Sequence, residues 1–429
     1  MKWFIATFFL TLPIPLFAAP ELMADDPILS TMFQESVDVA IESIQTASDG
    51  SRFLSAGPRY TNPARTYYRD SYWTSGLVLL IDPSAVREQI LRLATGIEPD
   101  GSVPSALSID ANGLKIPLWD DHHDSGSFFI MMVYDYVRWT GDESILTEYV
   151  GNRTIFVMME DILTHLFSLD TDGNFLPEKP AHSLQDWLDS IPRGGEVLYN
   201  EVLFYRALRN TVEIATLRGY AAHATVFHRY SLLVRHQINE QFWNEEKGYF
   251  FERCEAGVCT DRLTNESSLA VLFDVISPSN RERFFQKLKG LETDWGVMNA
   301  NPPYEGFKLY SYHNVTDWPV LDGMNVGARL KHGNTDWYYP LTRWWTYFNE
   351  VRTDGEKLPE FISPNDFSGG RSQAWSVNPM VSFVRYGIGL DPAMDGSYSI
   401  KPSPKGNLTL KNIWVRGQRI TVKAQPKQK

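Results

Sequence analysis

The sequence is poor in the features that several large protein classes require. It has two cysteines, nine histidines, and 40 basic against 52 acidic residues, which give a formal net charge of −12. This charge disfavours nucleic acid and anionic membrane surfaces as partners. No phosphate-binding glycine loop, nucleophile elbow or dinucleotide fingerprint occurs along the 429 residues. The sequence therefore predicts no nucleotide cofactor and no serine-hydrolase chemistry.

Long apolar runs are also scarce, and the one that suggests a targeting segment lies at the N-terminus. In MKWFIATFFLTLPIPLFAAP, a basic residue precedes an apolar run that Pro13 and Pro15 interrupt and that Ala18 and Ala19 close. This order predicts a secretory signal peptide over residues 1–19. The run is too short and too proline-broken for a good transmembrane helix, although an uncleaved anchor is the alternative. We expect a secreted or periplasmic protein that has no membrane association after signal removal.

The two cysteines lie close together in RCEAGVC. In an oxidising compartment, the short loop around Gly257 predicts a disulfide between Cys254 and Cys259. The surrounding NEEKGYFFERCEAGVCTDR has an extended run on each side of that loop. It predicts one β-hairpin insertion.

Apolar residues recur at helical spacing through most of the chain. Segments such as SGSFFIMMVYDYVRW, EVLFYRALRNTVEIATL and YYPLTRWWTYFNEV belong to a set of about a dozen predicted helices. No interdomain linker occurs before residue 391, where apolar and polar residues begin to alternate as in short strands. The sequence predicts an all-α domain over 20–390, built of helical hairpins that close into a toroid, and a short β-rich tail over 391–429. An irregular helical array is the alternative.

Aromatic residues make up 13% of the chain and include 13 Trp, whose flat apolar faces and polar edges suit sugar rings. Five loops that precede predicted helices combine acids, amides and aromatics. Helix capping explains part of this pattern, because Asp, Ser and Asn cap helices. The recurrence of the combination favours a sugar-binding funnel at one face of the toroid. The five segments are YYRDSYW, WDDHHDSGSFF, SLQDWLDSIPRGGEVLYNEVLFYRAL, YSYHNVTDWPVLDGMN and KLPEFISPNDFSGGRSQAW.

Two motifs were candidates for a metal site, and neither predicts one. In DDHHD, neighbouring positions point apart, so that few of the side chains can converge on one ion. DTDGN, residues 170–174, lacks one position of a calcium loop and has no Glu at the required distance. A turn is the better interpretation of this segment. The sequence predicts no metal and no cofactor, and it makes no prediction about oligomeric state.

The five loop segments resemble a known family. RTYYRDSYW is similar to a segment of trehalases and of the glycogen-debranching amylo-α-1,6-glucosidases, and DHHDSGSFF resembles the next debranching segment. DWLDSIPRGGEVLYNEVLFYRAL resembles both the debranching enzymes and the processing α-glucosidase I of glycoside hydrolase family 63. YHNVTDWPVLDG and LPEF…SQAWS resemble later debranching segments, and all matches fall in one order from Arg65 to Ser376. The resemblance implies a six-hairpin (α/α)6 barrel and an inverting glycosidase.

The resemblance also assigns roles to individual residues. It places the general acid on Asp189, with Asp186 as the nearest competitor, and the general base on Glu360. The substrate-binding residues predicted together with this pair are Arg69, Asp70, Trp73, Asp124, Trp187, Glu201, His313, Trp318, Gln373 and Trp375.

The acid–base pair is also consistent with glycoside hydrolysis when the residues are considered without the resemblance. An inverting glycosidase needs a carboxylic acid and a carboxylate about 6.5–9.5 Å apart. Asp189 lies near Trp187, where burial would raise its pKa, and Glu360 follows Pro359 in a loop that water is expected to reach. The alternative is that Asp189 caps a turn and Glu360 is merely solvated. Likewise, Arg69 and Asp70 either bind sugar hydroxyls beside a stacking aromatic or form a structural bridge.

The chain departs from the family pattern in ways that bear on the substrate. Val315 follows Asn314 where debranching enzymes have Gly, and Asp317 is an additional acid in that loop. The Gln-Trp-Asp signature of trehalases and the glucan-binding N-terminal domain of debranching enzymes are missing. The missing glucan-binding domain favours a small oligosaccharide or glycoside over glycogen, and the resemblance implies that the bond is α-glucosidic.

Three other functions remain open at this point. Tyr312, His313 and Asn314 offer the side chains that a polysaccharide lyase on an α/α toroid uses, although the motif loops hold few basic residues for a uronate. A non-catalytic sugar-binding relative would not need both Asp189 and Glu360. A glycoside phosphorylase would lack the base.

Overall fold

The computed structural model describes residues 18–427 except for 59, 110–114, 353–354 and 365–371. Apart from Ala18 and Ala19, the predicted signal peptide lies outside the described residues. Within them, no helix has both the length and the apolar character needed to cross a membrane.

The described residues form twelve α-helices. The last of these continues into a π-helix over Phe383–Ile388, and short 3-10 helices cover Glu143–Thr147, Asn265–Ser268, Pro278–Asn280, Lys289–Leu291 and Ala374–Val377. The α-helices are α1 (Pro27–Ser43), α2 (Tyr68–Ile81), α3 (Pro83–Ala94), α4 (Ser125–Thr140), α5 (Ile155–Ser168), α6 (Leu198–Leu217), α7 (Ala221–Phe242), α8 (Leu269–Leu272), α9 (Arg281–Leu288), α10 (Pro319–Lys331), α11 (Tyr338–Val351) and α12 (Asn378–Ser382).

The helices alternate between an inner and an outer ring. Helices α2, α4, α6, α8, α10 and α12 each contact the next in this order, and α12 returns to α2. Helices α1, α3, α5, α7 and α11 pack on the outer side of these inner helices. A closed ring of six inner helices with further helices packed outside it is the architecture of an (α/α)6 barrel, as predicted.

Side-chain burial explains which helices lie inside. Nearly every residue of α2, α4 and α10 is buried, so these helices have no polar face to present to water. The outer helix α7 buries Ser231, Val234, Ile238 and Phe242, which recur every three or four residues along one face. The hydrophobic pattern therefore separates the two rings.

Small residues let the inner helices approach closely. A Cβ on Gly76 of α2 would lie 2.6 Å from a methyl carbon of Val381 in α12. A Cβ on Gly323 of α10 would overlap the amide of Asn378. A larger residue at Gly76 would force α2 and α12 apart, and one at Gly323 would force α10 and α12 apart.

The described residues also contain nineteen short strands, which pair into eight small antiparallel sheets. The expectation of a single β-hairpin in an otherwise all-α chain is not confirmed, because the helix connections are long enough to pair with one another. Strands of two to four residues leave no alternating pattern in the sequence. The strands are β1 (Glu21–Ala24), β2 (Ile44–Thr46), β3 (Arg52–Leu54), β4 (Arg65–Tyr67), β5 (Ala106–Ile109), β6 (Lys115–Leu118), β7 (Tyr149–Val150), β8 (Arg153–Thr154), β9 (Glu196–Val197), β10 (Trp243–Asn244), β11 (Tyr249–Phe250), β12 (Arg253–Glu255), β13 (Val258–Cys259), β14 (Leu263–Thr264), β15 (Glu292–Thr293), β16 (Gly296–Val297), β17 (Ala300–Asn301), β18 (Leu408–Val415) and β19 (Gln418–Ala424).

The cysteine segment forms the hairpin that the sequence predicts. Strands β12 and β13 pair with Cys254 opposite Cys259, and the two residues form a disulfide. On its other side, β12 pairs with β9, which leads directly into α6. The disulfide therefore reinforces a sheet at the start of an inner helix.

Removing this disulfide should destabilise the protein modestly. The cysteines are five positions apart, and by the chain-entropy model so short a loop contributes about 2 kcal/mol at most. We expect a Cys254→Ser, Cys259→Ser double variant to lose up to that amount in urea unfolding, and reduced wild-type protein to match it. A thiol assay on unfolded, unreduced protein should find no free thiol; two thiols would contradict the bridge.

The two ends of the described chain meet in one sheet. Strand β18 pairs with β19 and also with β1, in the sheet order β1-β18-β19. Leu408, Leu410 and Ile413 of β18 are buried in the main core. The amide of Arg416 donates to the carbonyl of Trp139 near the end of α4 at 2.8 Å. The C-terminal strands are thus packed on the barrel.

Candidate active site

A pocket of about 320 Å³ lies where the inner helices begin. Each of the five loop segments contributes to its wall, and nine of the twelve predicted catalytic and substrate-binding residues line it. Arg69 and Asp70 come from the first turn of α2, and Trp318 immediately precedes α10. The full lining is Tyr60, Thr61, Arg65, Tyr67, Arg69, Asp70, Trp119, Trp187, Asp189, Tyr312, His313, Trp318, Glu360, Gln373 and Trp375.

A larger depression of about 780 Å³ lies elsewhere, beside Ile41, Ile81 and Trp414. Its wall contains one acid, Asp82, whose carboxylate is paired with Arg52 at 2.5 Å. A site for acid–base chemistry needs titratable groups that converge, so the smaller pocket is the candidate active site.

Asp189 stands at an open part of the pocket. Its side chain is 48% exposed, yet protein groups around the recess displace enough water to raise the pKa of the carboxyl, against the lowering effects of Arg69 and His122. Oδ1 lies 3.9 Å from Nδ1 of His313, whose own pKa burial holds well below its usual range. His313 is therefore neutral and does not act as a cationic partner that would keep Asp189 ionised.

Asp186, the competitor for the acid role, is placed very differently. It is fully buried and pairs with Lys179 at 2.5 Å and with Nε of Arg193 at 3.0 Å. Burial alone would raise its pKa, but these two cations hold it well below the usual range. Asp186 is thus ionised and has no proton to give.

The same buried ion pairs hold the loop that carries Asp189. Arg193 also pairs with Glu266 at 2.6 Å, just ahead of α8, and Trp187 donates its indole N–H to Glu266. The loop before α6 is thereby tied to the neighbouring inner segment. Asp189 extends from an anchored segment.

Glu360 is more enclosed than the sequence suggests. The residue is 5% exposed, and its Oε1 accepts hydrogen bonds from the hydroxyls of Tyr60 at 2.8 Å and Tyr312 at 3.0 Å. Burial and the charge of Glu360 raise the pKa of both phenols, so both remain protonated donors. The expectation of a base in an open, wet loop is wrong, because these phenols orient the carboxylate at the pocket wall.

The charged pair of the first motif has separate partners. Arg69 binds Asp124 through Nη1 at 2.8 Å, and Asp70 accepts a hydrogen bond from Gln373 at 2.9 Å. Burial raises the pKa of Asp70 to about 7, against the lowering effect of Arg69. For Asp124, burial is outweighed by Arg69 and His122, which lower its pKa to about 2. The structural bridge is therefore Arg69–Asp124, and Asp70 lines the pocket.

The raised pKa of Asp70 has a consequence for stability. A carboxyl with a pKa of about 7 when folded and near 3.8 when unfolded binds its proton more tightly in the folded state. Stability is therefore lost as pH rises from about 4 to 7, on the order of a few kcal/mol. We expect Asp70→Asn to melt higher than wild type at pH 8 and close to it at about pH 4. The exposed-site variant Glu305→Gln should show no such difference; equal behaviour of both variants at pH 8 would contradict the assignment.

Aromatic rings form the rest of the inner wall. The ring of Trp318 stacks on His313 at 4.8 Å and on Phe361 at 5.5 Å. Trp187 and Trp375 meet Trp318 edge-on at 5.5 and 5.9 Å. Mutual packing fixes these rings, so they give the pocket a rigid aromatic wall.

Three predicted substrate-binding residues do not line the pocket. Trp73 lies one helical turn beyond Asp70 and packs against Tyr72 and Phe128 inside the barrel. Asp124 is fully buried behind Arg69 and acts through it. Glu201 is fully buried in the first turn of α6, and burial raises its pKa well above its usual range. None of these three side chains is placed to contact a sugar in the pocket.

The sequence analysis missed six pocket residues. Tyr67 begins the first motif and Arg65 lies two residues before it. Trp119 opens the second motif, and Tyr312, which the sequence analysis named only for a lyase, lies in the fourth, so these segments were the available signal. The other two precede the first motif and carried no signal. The complete set is Tyr60, Thr61, Arg65, Tyr67, Trp119 and Tyr312.

One group of acids in the described part of the chain could hold a cation outside the pocket. Carboxylate oxygens of Asp172, Glu178 and Glu196 lie within 4.8 Å of one another. Within the 170–174 segment, Asp170 accepts hydrogen bonds from the backbone amides of Gly173 and from those of the next residues, as in the predicted turn. Three carboxylates are a hard-cation donor set, but this cluster has no part in the pocket chemistry.

Comparison with known proteins identifies a family of glycosidases. The family model described as Amylo-alpha-1,6-glucosidase matches residues 69–382, more than half of the chain. No protein of curated function matches the chain in sequence.

Solved structures with the same fold include two rhamnosidases and a hydrolase. The GH78 rhamnosidase of Bacillus sp. GL1 superposes with a TM-score of 0.71 and 18% identity, over 95% of this chain and 40% of that one. The rhamnose-bound rhamnosidase from Klebsiella oxytoca superposes with a TM-score of 0.66 and 15% identity, over 86% of this chain and 65% of that one. The GH63 mannosylglycerate hydrolase from Thermus thermophilus, in complex with glucose, superposes with a TM-score of 0.62 and 13% identity, over 82% of this chain and 100% of that one. The chain thus spans less than two thirds of either rhamnosidase, and at these identities the likeness shows the fold.

Proposed function

Because this chain belongs to the amylo-alpha-1,6-glucosidase family, a family of glycoside hydrolases, we propose that it hydrolyses a glycosidic bond with inversion at the anomeric carbon. One observation carries the proposal. Two carboxyl groups from separate loops, Asp189 and Glu360, line a single aromatic pocket in unlike surroundings. The raised pKa of Asp189 favours its protonated form, and the Glu360 carboxylate is held by the hydroxyls of Tyr60 and Tyr312.

Asp189 serves as the general acid. Its raised pKa keeps the proton available, and its partly exposed position suits the side of the sugar from which the leaving group departs. As the bond between the anomeric carbon and the glycosidic oxygen breaks, the proton passes from Asp189 to that oxygen. The leaving group departs as a neutral alcohol, and Asp189 is left as a carboxylate.

Glu360 serves as the general base. It takes one proton from a water molecule while the water oxygen bonds to the anomeric carbon on the face opposite the leaving group. The hydrogen bonds from Tyr60 and Tyr312 hold its carboxylate in place for this step. Solvent then returns a proton to Asp189 and removes one from Glu360, so the net reaction consumes one water.

The remaining lining residues bind the sugar. Asp70 and Gln373 offer a hydrogen-bonded pair to adjacent hydroxyls, while Trp375 offers apolar surface and Trp318 supports the wall from behind. A volume of about 320 Å³ is at the small end for a ligand pocket and suits one glycosyl unit with the start of its leaving group. We infer a small oligosaccharide or glycoside as substrate, with an α-glucosidic bond as the first candidate.

The site of action proposed for the protein is outside the cytoplasm. The signal peptide predicted over residues 1–19 and the Cys254–Cys259 disulfide both support secretion or a periplasmic location. Fractionation of cells that express the full chain, with detection of the protein and its N-terminus, tests this part of the proposal.

The reaction is tested by screening purified protein against aryl glycosides and small α-linked disaccharides. Nuclear magnetic resonance of the first-formed sugar should show the anomer opposite to that of the substrate. A retained anomer would contradict inversion. An unsaturated product, detected by ultraviolet absorbance, would identify a lyase, and sugar binding without turnover would identify a non-catalytic relative.

A further inference from the structure

Arg65 is an unusual cation in the pocket wall. Arg69, four positions later, is paired with Asp124, but Arg65 has no carboxylate within ion-pairing distance among the residues that the structure describes. Its Nε is buried without a hydrogen-bond partner, and its Nη1 lies 3.5 Å from the hydroxyl of Tyr67. A guanidinium that lines a pocket without an acid partner has donors to spare for a ligand.

Trp119 forms a platform beside this guanidinium. The residue is 54% exposed, its ring stacks on Tyr67 at 6.2 Å, and the Arg65 guanidinium carbon lies 5.5 Å from the ring centre. Its backbone φ of 48° falls in the left-handed region, which non-glycine residues adopt at a cost. Strained backbone that fixes an exposed aromatic ring at a pocket is a feature of ligand contact rather than of core packing.

The distribution of exposure indicates which part of a substrate meets this pair. Trp318, Trp375 and Asp70 are buried and form the floor, whereas Trp119 and Asp189 are about half exposed and stand toward the mouth. In a closed-ended pocket the glycosyl unit occupies the floor and the leaving group extends to the mouth. Arg65 and Trp119 are thus placed to contact the leaving group.

Resting on the proposed function, we propose that Arg65 and Trp119 form a leaving-group subsite that selects glycosides whose leaving group carries a carboxylate. Arginine binds a carboxylate through two parallel hydrogen bonds, and the Trp119 face packs on the adjoining carbon atoms. The Glu360 carboxylate lines the same pocket and would otherwise repel an anion. Arg65 supplies the compensating charge.

A matched pair of substrates tests the inference. The 4-carboxyphenyl and 4-carbamoylphenyl glycosides of the sugar found in the screen differ by one charge and hardly in shape. We expect kcat/KM to be about tenfold or more higher for the carboxyphenyl compound. Arg65→Gln should abolish or reverse this preference, whereas Arg65→Lys should keep a smaller one, because lysine offers a point charge rather than a fork.

The controls separate specificity from general damage. Arg229→Gln, on the exposed side of the outer helix α7, should keep the wild-type preference. Trp119→Ala should raise KM for both compounds without changing their ratio by as much as Arg65→Gln does. Thermal melts verify that each variant folds, and glycosides of lactate and lactamide, and of glucuronate and glucuronamide, show whether a small hydroxy acid or a uronate is preferred.

Each outcome decides something. A wild-type ratio at or below one, or a preference that survives Arg65→Gln, overturns the subsite while leaving the proposed hydrolase intact. Failure of the wild-type protein to hydrolyse either member of the pair, or any glycoside of the screen, overturns the proposed function and the subsite together.

Discussion

Asp189→Asn should slow the hydrolysis of unactivated glycosides by about 10²–10⁴, the usual contribution of a positioned general acid. Asparagine keeps the size and shape of the side chain but has no transferable proton. Nitrophenyl glycosides should be slowed much less, because a good leaving group needs little protonation. The measurement is kcat/KM on an alkyl and a nitrophenyl glycoside of the same sugar, for wild type and variant.

The pH dependence gives a second readout of Asp189. The acid must be protonated, so activity should fall on the alkaline side as it ionises, and its raised pKa moves this fall upward in pH. The alkaline limb should disappear in Asp189→Asn, while the exposed-site variant Glu305→Gln keeps it. Equal slowing of both leaving groups would argue against an acid role.

Asp186 offers an internal comparison. Its replacement by asparagine removes the carboxylate that pairs with the buried Lys179 and one of those that pair with Arg193, so we expect a loss of stability rather than a leaving-group effect. If Asp186→Asn were folded but inactive while Asp189→Asn stayed active, the acid would have been assigned to the wrong residue.

Glu360→Gln should slow all substrates alike, again by about 10²–10⁴. Water must be activated whatever group leaves, so alkyl and nitrophenyl glycosides should lose the same factor. Glutamine keeps the hydrogen-bonding geometry toward Tyr60 and Tyr312 but cannot take a proton.

The two phenols allow a graded check on this assignment. Tyr60→Phe and Tyr312→Phe each remove one donor to Oε1 of Glu360 and leave the ring in place. Each variant should slow hydrolysis less than Glu360→Gln does, and by the same factor for alkyl and nitrophenyl glycosides. If Glu360→Gln had normal turnover, or if its loss were confined to poor leaving groups, Glu360 would not be the base.

The sequence predicted the barrel and the pocket because their signals are local. Apolar residues recur at helical spacing along the inner helices, as in SGSFFIMMVYDYVRWT of α4, and the loops before these helices carry compact motifs in a fixed order. Once the helices close into a ring, all loops at one end must meet. That is why Asp70, Asp189, Trp318, Glu360 and Gln373, scattered along the chain, line one cavity.

The features that the sequence did not predict depend on tertiary contacts. Nothing local distinguishes Asp186, held between two cations, from Asp189 three positions later. Trp73 was predicted to contact sugar, yet one helical turn of rise moves it from the pocket into the barrel interior. Trp119 reaches the pocket through a left-handed backbone that no pattern of residue types announces.

The pairing of β1 with β18 has a consequence for how the native state is acquired. The ribosome releases Glu21–Ala24 long before Leu408–Val415, so β1 has no partner strand during the interval between them. This contact spans almost the whole described chain, and closing so long a loop carries a large entropic cost. A circular permutant that joins the two ends through a linker would make the contact local, and should refold faster than the natural order of elements while keeping the same barrel.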